Sequence, residues 1–123
     1  MTKVYRVLIA EDEKAMANAL ELKLKKTGFE AVAVFDGDSV IKAIEKEKFD
    51  IILLDLMMPK TDGFSVMQEL KELKNDTPVM VLSNLSQEED RKRAIDLGAK
   101  DYFVKSDTPI TEIVQKVASY LKK

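Results

Sequence analysis

The sequence predicts an α/β sandwich, with one doubly wound, five-stranded parallel sheet covered by helices on both faces. Two observations carry that prediction. Five short runs rich in β-branched residues are near-continuously apolar, as strands buried on both sides should be. Longer stretches of helical period separate them, so strand and helix alternate five times, and right-handed crossovers then wind the strands into one parallel sheet.

The first strand is expected from Val4 to Ala10. After it, Ala15, Ala19 and Leu22 join Met16, Leu20 and Leu24 in one broad apolar stripe, and Gly28 supplies the stop. The remaining strands are expected at Ala31 to Phe35, Ile51 to Leu54, Val79 to Leu82 and Tyr102 to Val104. Asp62 and Gly63 mark the turn into the third helix, and Gly98 ends the fourth through a left-handed residue. The last helix carries Ile110, Ile113, Val114, Val117 and Leu121 at three-and-four spacing. Thr108 is its expected cap and Pro109 its first residue.

Composition narrows the function. The chain has 123 residues, about one domain, long enough to bury roughly two-thirds of its unfolded surface. A hydrophobic share of 46% with 34% charged residues fits a folded globule rather than a disordered chain. The net charge of -2 supplies no attraction to nucleic acid or to an anionic membrane. With no cysteine there is no disulfide and no thiolate metal site. With no histidine there is no Ser-His-Asp triad and no imidazole ligand. The opening "MTKVYRVLIAEDE" lacks a signal-peptide core, and no apolar run nears the roughly 18 residues of a membrane span. The expectation is one cytoplasmic domain over residues 1–123.

The polar residues gather where such a fold binds ligands, outside the carboxyl ends of the strands. Glu11 and Asp12 follow the first strand, Asp55 the third, Ser83 the fourth and Lys105 the fifth; the strand ending at Phe35 falls at the margin. Asp55 comes directly after four apolar residues, and an unpartnered charge there is costly. Carboxylates this close repel, and a divalent cation relieves them; Mg2+, with Mn2+ as a substitute, suits a few carboxylate oxygens and retained water. With Lys105 and Ser83 at the same edge, the set forms a site for phosphoryl transfer in which Asp55 is the nucleophile. The plain alternative for "EDE" is an acidic helix start complementing the helix dipole.

The pieces "VLIAEDE", "DIILLDLMMPKTDGF", "VMVLS" and "AIDLGAKDYFVK" cover the chain in order. They resemble the receiver domain of two-component response regulators, of the single-domain, CheY-like kind with a flavodoxin-like (βα)5 fold. The resemblance implies Glu11, Asp12, Asp55 and the backbone carbonyl of Met57 as the Mg2+ contacts. It implies Asp55 as acceptor of a phosphoryl group from the phosphohistidine of a sensor kinase or phosphotransfer protein. Ser83 and Lys105 would bind the phosphoryl oxygens. Tyr102 would turn inward as Ser83 moves, repacking the face of the fourth helix, fifth strand and fifth helix. That face would meet a downstream protein target or an output domain, without direct nucleic acid or membrane binding. Kinase docking is implied near Ala15, Met16 and the loop "KSDTP".

Two departures from the family pattern stand out. Ser106 follows Lys105 where the family usually has a proline joined by a cis peptide, and a cis bond before serine costs about 3 kcal/mol against about 1 for proline. Met57 and Leu85, at places that tune phosphoryl lifetime in related receivers, can crowd a water but cannot hydrogen-bond it, so a long-lived phosphoryl group is expected. Three rivals remain. A nucleotide-binding enzyme on the same sheet lacks a glycine-rich loop. An aspartyl phosphatase lacks the second acid at position 57. A phosphate-independent receiver would have no need of the intact Glu11, Asp12, Asp55, Ser83 and Lys105 set.

Overall fold

The computed structural model describes residues 3–122; residues 1, 2 and 123 of the expected domain lie outside that range. Its elements alternate as β1 (Arg6–Ala10), α1 (Lys14–Lys26), β2 (Glu30–Val34), α2 (Gly37–Lys46), β3 (Ile51–Asp55), α3 (Gly63–Glu72), β4 (Val79–Ser83), α4 (Glu88–Asp96), β5 (Asp101–Val104) and α5 (Ile110–Leu121). The strands form one parallel sheet in the order β2-β1-β3-β4-β5. The predicted fold class is borne out, and the order reverses between β1 and β3, where the acids were expected.

Successive side chains of a strand point to opposite faces, and the sheet divides its apolar residues accordingly. Val7, Ile9, Ile51, Leu53, Met80, Leu82 and Phe103 pack with α1 and α5. Leu8, Ile52, Leu54, Val79, Val81 and Tyr102 pack with α2, α3 and α4. The central strands β1, β3 and β4 are thus buried throughout, apart from the half-exposed Arg6 at the start of β1.

Several expected details differ. Val4 lies before β1 and is exposed, while Val32 and Phe35, on or beside the edge strand β2, are partly exposed where, among the described residues, no further strand pairs with that edge. On α1 the buried residues are Ala17, Leu20 and Leu24 with Met16 beside them; Ala15 and Leu22 face solvent, Leu22 at 57% exposure. A stripe reaching Ala15 and Leu22 is too wide, since one sheet face covers only part of the helix circumference. At α5 the cap is Pro109, still extended at φ −63° and ψ 149°, and the Thr108 hydroxyl donates back to the Val104 carbonyl at 2.9 Å. Thr108 therefore closes the turn after β5 instead of capping the helix.

The helix ends obey a shared rule. Gly28 and Gly98 take φ of 102° and 109°, and the next residues, Phe29 and Ala99, donate to Leu24 and Ala94 carbonyls, closing orphan groups. At the expected entry into the third helix, Asp62 caps α3 by accepting the Ser65 N–H at 2.9 Å. Gly63 is needed for space: a Cβ there would lie 2.6 Å from the Asp55 carbonyl oxygen. That glycine lets α3 start directly against the end of β3.

Candidate functional site

Four strand ends converge at the carboxyl edge of the sheet. β1 ends at Ala10, and the next residue, Glu11, is completely buried; its backbone N–H bonds the Val34 carbonyl at 3.1 Å. Its Oε2 accepts the Glu13 N–H at 2.9 Å. Its Oε1, also buried, is ion-paired with Lys105 Nζ. Asp12 stays exposed, and α1 begins only at Lys14 with no acid in its first turn. The reading of "EDE" as a dipole-complementing helix start therefore fails for Glu11, which points into the site.

Asp55 closes β3 and is buried. Its Oδ1 accepts the Met57 N–H at 3.0 Å and its Oδ2 accepts from Lys105 Nζ at 2.9 Å. Lys105 thus bridges Glu11 and Asp55. Burial pushes the Glu11 carboxyl up to about 7; the nearby Asp55 charge adds to this, and Lys105 with the Glu13 N–H oppose it. Burial works against the Lys105 ammonium, yet its two carboxylate partners outweigh that and raise it above its ordinary value. The lysine and one backbone N–H make the buried Asp55 charge tolerable.

Glu11, Asp12 and Asp55 each offer an oxygen, all within 4.8 Å of one another. The fit to a hard divalent cation rests on the chemistry of this donor set, three carboxylates gathered at one point with a single lysine against two of them. A cleft of about 360 Å³ lined by Asp12, Glu13, Asp55, Met57, Asn84 and Lys105 leaves room for a ligand beside them. Glu13 and Asn84 enter this lining as the residues that directly follow Asp12 and Ser83, a place the sequence pattern does not mark as functional.

Ser83, buried at the end of β4, accepts the Leu85 N–H on its Oγ at 3.0 Å. Tyr102 donates its hydroxyl to the Leu85 carbonyl at 2.7 Å. One peptide segment is therefore gripped at both ends by the two expected switch residues. Burial raises the Tyr102 phenol above its ordinary value, against the neighbouring Ser83 hydroxyl, with Asp90 adding to the rise. Tyr102 is buried and belongs to the core cluster that also holds Leu8, Val81 and Ala94. Met57 and Leu85 line a second cleft of about 610 Å³ with Leu56, Met58, Pro59 and Phe64, next to Asp12. Met57 is 59% exposed at the wall of this cleft. Phe64 went unassigned in the sequence, although it directly follows the quoted "DG" pair.

After β5, Lys105 opens a short 3-10 turn, Lys105–Asp107. No peptide bond among the described residues is cis, so Lys105–Ser106 is trans. Of the implied docking residues, Ala15 is exposed, Met16 is half-buried, and Ser106 and Asp107 are exposed.

The family model described as the response regulator receiver domain matches residues 7–118. Over 118 residues the chain is 32% identical to the alkaline phosphatase synthesis transcriptional regulatory protein PhoP of Bacillus subtilis (strain 168), covering 96% of this chain and 48% of that protein. A Francisella response regulator 1452 receiver domain superposes with a TM-score of 0.91 at 31% identity, covering 96% of this chain and 97% of that one. The BeF3-activated N-terminal receiver domain of Klebsiella pneumoniae RstA gives a TM-score of 0.87 at 25% identity, covering 96% and 99%. The fold and its acid-lined edge are those of a receiver, a module of phosphorylation-based two-component signalling. This chain belongs to the response regulator receiver domain family. It spans about half the length of the curated relatives it matches. Among the described residues, no helix is long and apolar enough to cross a membrane.

Proposed function

We propose that Asp55 accepts a phosphoryl group from the phosphohistidine of a sensor kinase or phosphotransfer protein, and that the chain signals through the resulting rearrangement. The observation that carries this reading is the Asp55 carboxylate, buried, bound by Lys105 and set within 4.8 Å of the Glu11 and Asp12 oxygens. An Asp55 oxygen attacks phosphorus, the P–N bond breaks, and the histidine imidazole leaves with its electron pair. Glu11, Asp12, Asp55 and the Met57 carbonyl would hold Mg2+, which when bound neutralises charge on the transferring group.

The protein's own groups do the rest. Lys105 releases Asp55 to pair with the incoming phosphoryl oxygens, exchanging one charge-assisted contact for another. Ser83, whose Oγ accepts from Leu85 and keeps its own proton, donates to another of those oxygens. Movement of Ser83 pulls on the Leu85 segment, which Tyr102 also holds, so the change reaches α4, β5 and α5. A kinase would dock near Ala15, Met16 and residues 105–109, and a protein target or output domain would read the switched face. The chain acts as a stoichiometric acceptor and as a binding module, with no nucleic acid contact of its own.

Acetyl phosphate with Mg2+ tests this directly. An acid-stable, base-labile adduct in one-to-one amount, absent in Asp55→Ala, is the expected result. Repeated turnover of phosphate esters would make the chain a phosphatase instead. No adduct under saturating Mg2+ would leave a phosphate-independent module.

A further inference from the structure

The segment between β3 and α3, residues 56–62, is anchored on two sides. On the side of the acid cluster, the Met57 N–H holds Asp55 and the Gly63 N–H holds the Leu56 carbonyl at 3.0 Å. On the far side it is fastened to the first turn of α2. Thr61 donates its hydroxyl to Asp38 Oδ1 at 2.7 Å, Lys60 Nζ lies 3.7 Å from Asp36 Oδ2, and the Gly37 N–H reaches the Pro59 carbonyl at 3.4 Å.

The helix does not need this arrangement for its own sake. Asp36 already caps α2 by accepting the Ser39 N–H at 2.8 Å, so Asp38 is free of that duty and is committed to Thr61. The approach is also too close for any side chain at position 37: a Cβ on Gly37 would sit 1.9 Å from the Thr61 carbonyl oxygen. Lys60 meanwhile takes φ of 70°, a left-handed conformation that residues with a side chain seldom adopt unless neighbours impose it. A loop held in such a shape by contacts 23 residues away in sequence is a positioned loop.

We infer that Gly37, Asp38 and Thr61 are positioning residues for the divalent cation: the first turn of α2 sets the segment that carries Met57 against Glu11, Asp12 and Asp55. The inference rests on the proposed metal contact at the Met57 carbonyl. Supports lying just outside the metal contacts commonly change metal affinity by about tenfold or more.

Calorimetric titration of the whole chain with Mg2+ tests it, beside the Mg2+ dependence of adduct formation from acetyl phosphate. Thr61→Val removes the hydroxyl at nearly constant shape and should weaken Mg2+ about tenfold. Half-saturating Mg2+ for adduct formation should rise by the same factor, with the rate at saturating Mg2+ unchanged. Asp38→Ala should match it, the double variant should be no worse than either, and Thr61→Ser should restore wild-type affinity. If Thr61→Val and Asp38→Ala melt earlier but bind Mg2+ like the wild type, the clamp serves folding alone and the inference is overturned. If the wild type itself binds no Mg2+, the reading of the acid cluster falls and takes the inference with it. A wild type that binds Mg2+ normally, with a Thr61→Ser variant as weak as Thr61→Val, would also overturn the role of the hydroxyl.

Discussion

The two sides of the acid cleft are built differently. On one side, β3 runs into a loop fastened to α2 and then into α3, which buries Val66, Met67 and Leu70. On the other side, β4 runs into a segment held by Ser83 and Tyr102 and then into α4, whose only buried residue is Ala94. The remainder of α4, "EEDRKR" followed by Ile95 and Asp96, is mostly exposed. A rigid side is needed to hold ligand oxygens in place, because misplacement weakens every contact. A lightly anchored side is needed to respond, because a new bond can shift an equilibrium only where two arrangements are close in free energy. The receiver divides these demands between neighbouring loops.

The largest expected effect falls on the rigid side. Asp55→Ala should abolish the adduct entirely and, with it, any change at α4; a variant that still carries label would move the acceptor elsewhere. Hydrogen exchange measures the contrast itself. The α4 amides should exchange roughly a hundredfold faster than those of α3, the equivalent of about 3 kcal/mol of buried aliphatic surface. Equal protection in the two helices would remove the distinction, and protection of α4 should increase with beryllofluoride bound.

Smaller effects sharpen the picture. Met57→Asn combined with Leu85→Glu should speed phosphoryl loss by about tenfold, or about 1.4 kcal/mol of barrier, because both residues border one cleft and neither orients water. Decay that is unchanged or slower means that these apolar side chains do not set the lifetime. Tyr102→Phe removes the hydroxyl bonded to Leu85 and should cost about 1 kcal/mol of stability while leaving the adduct yield intact. A loss of yield instead would place Tyr102 in the chemistry.

The smallest effect is a pH dependence at the α2 turn. The Ser39 backbone N–H holds Asp36 below its ordinary carboxyl value of 3.8, helped by the Ser39 hydroxyl and Lys60. A carboxyl lowered in the folded state stabilises above its unfolded value, and the benefit disappears as pH falls through the lower folded value. Asp36→Asn keeps the cap and removes the charge. Its stability deficit should therefore be full at neutral pH and vanish in acid; a deficit independent of pH would show that charge is irrelevant there.

Much of the site was readable from residue type at strand ends. Glu11, Asp55 and Ser83 each directly follow or close a run of buried residues, and Lys105 directly follows the half-buried end of β5, places where a polar side chain has little reason to be unless it is used. Other features left no such mark. Nothing local distinguishes Leu22, which is exposed, from Leu20 and Leu24, which are buried, because the width of the covered face depends on the neighbouring element. Thr108 before Pro109 has the form of a cap, and a competing bond to Val104 wins. The Asp38–Thr61 contact joins a helix start to a loop 23 residues later, and both are ordinary polar surface residues in the sequence.

Alternation of apolar runs with helical period decided the element order and the parallel sheet, since burial on two faces and helical spacing are written locally along the chain. Which polar groups meet was settled by folding alone. Lys105 lies 50 residues from Asp55 and further from Glu11, and only the packed strand order brings its ammonium between two buried carboxylates. Electrostatic energy depends on distance and burial, and both come into being when the layers close.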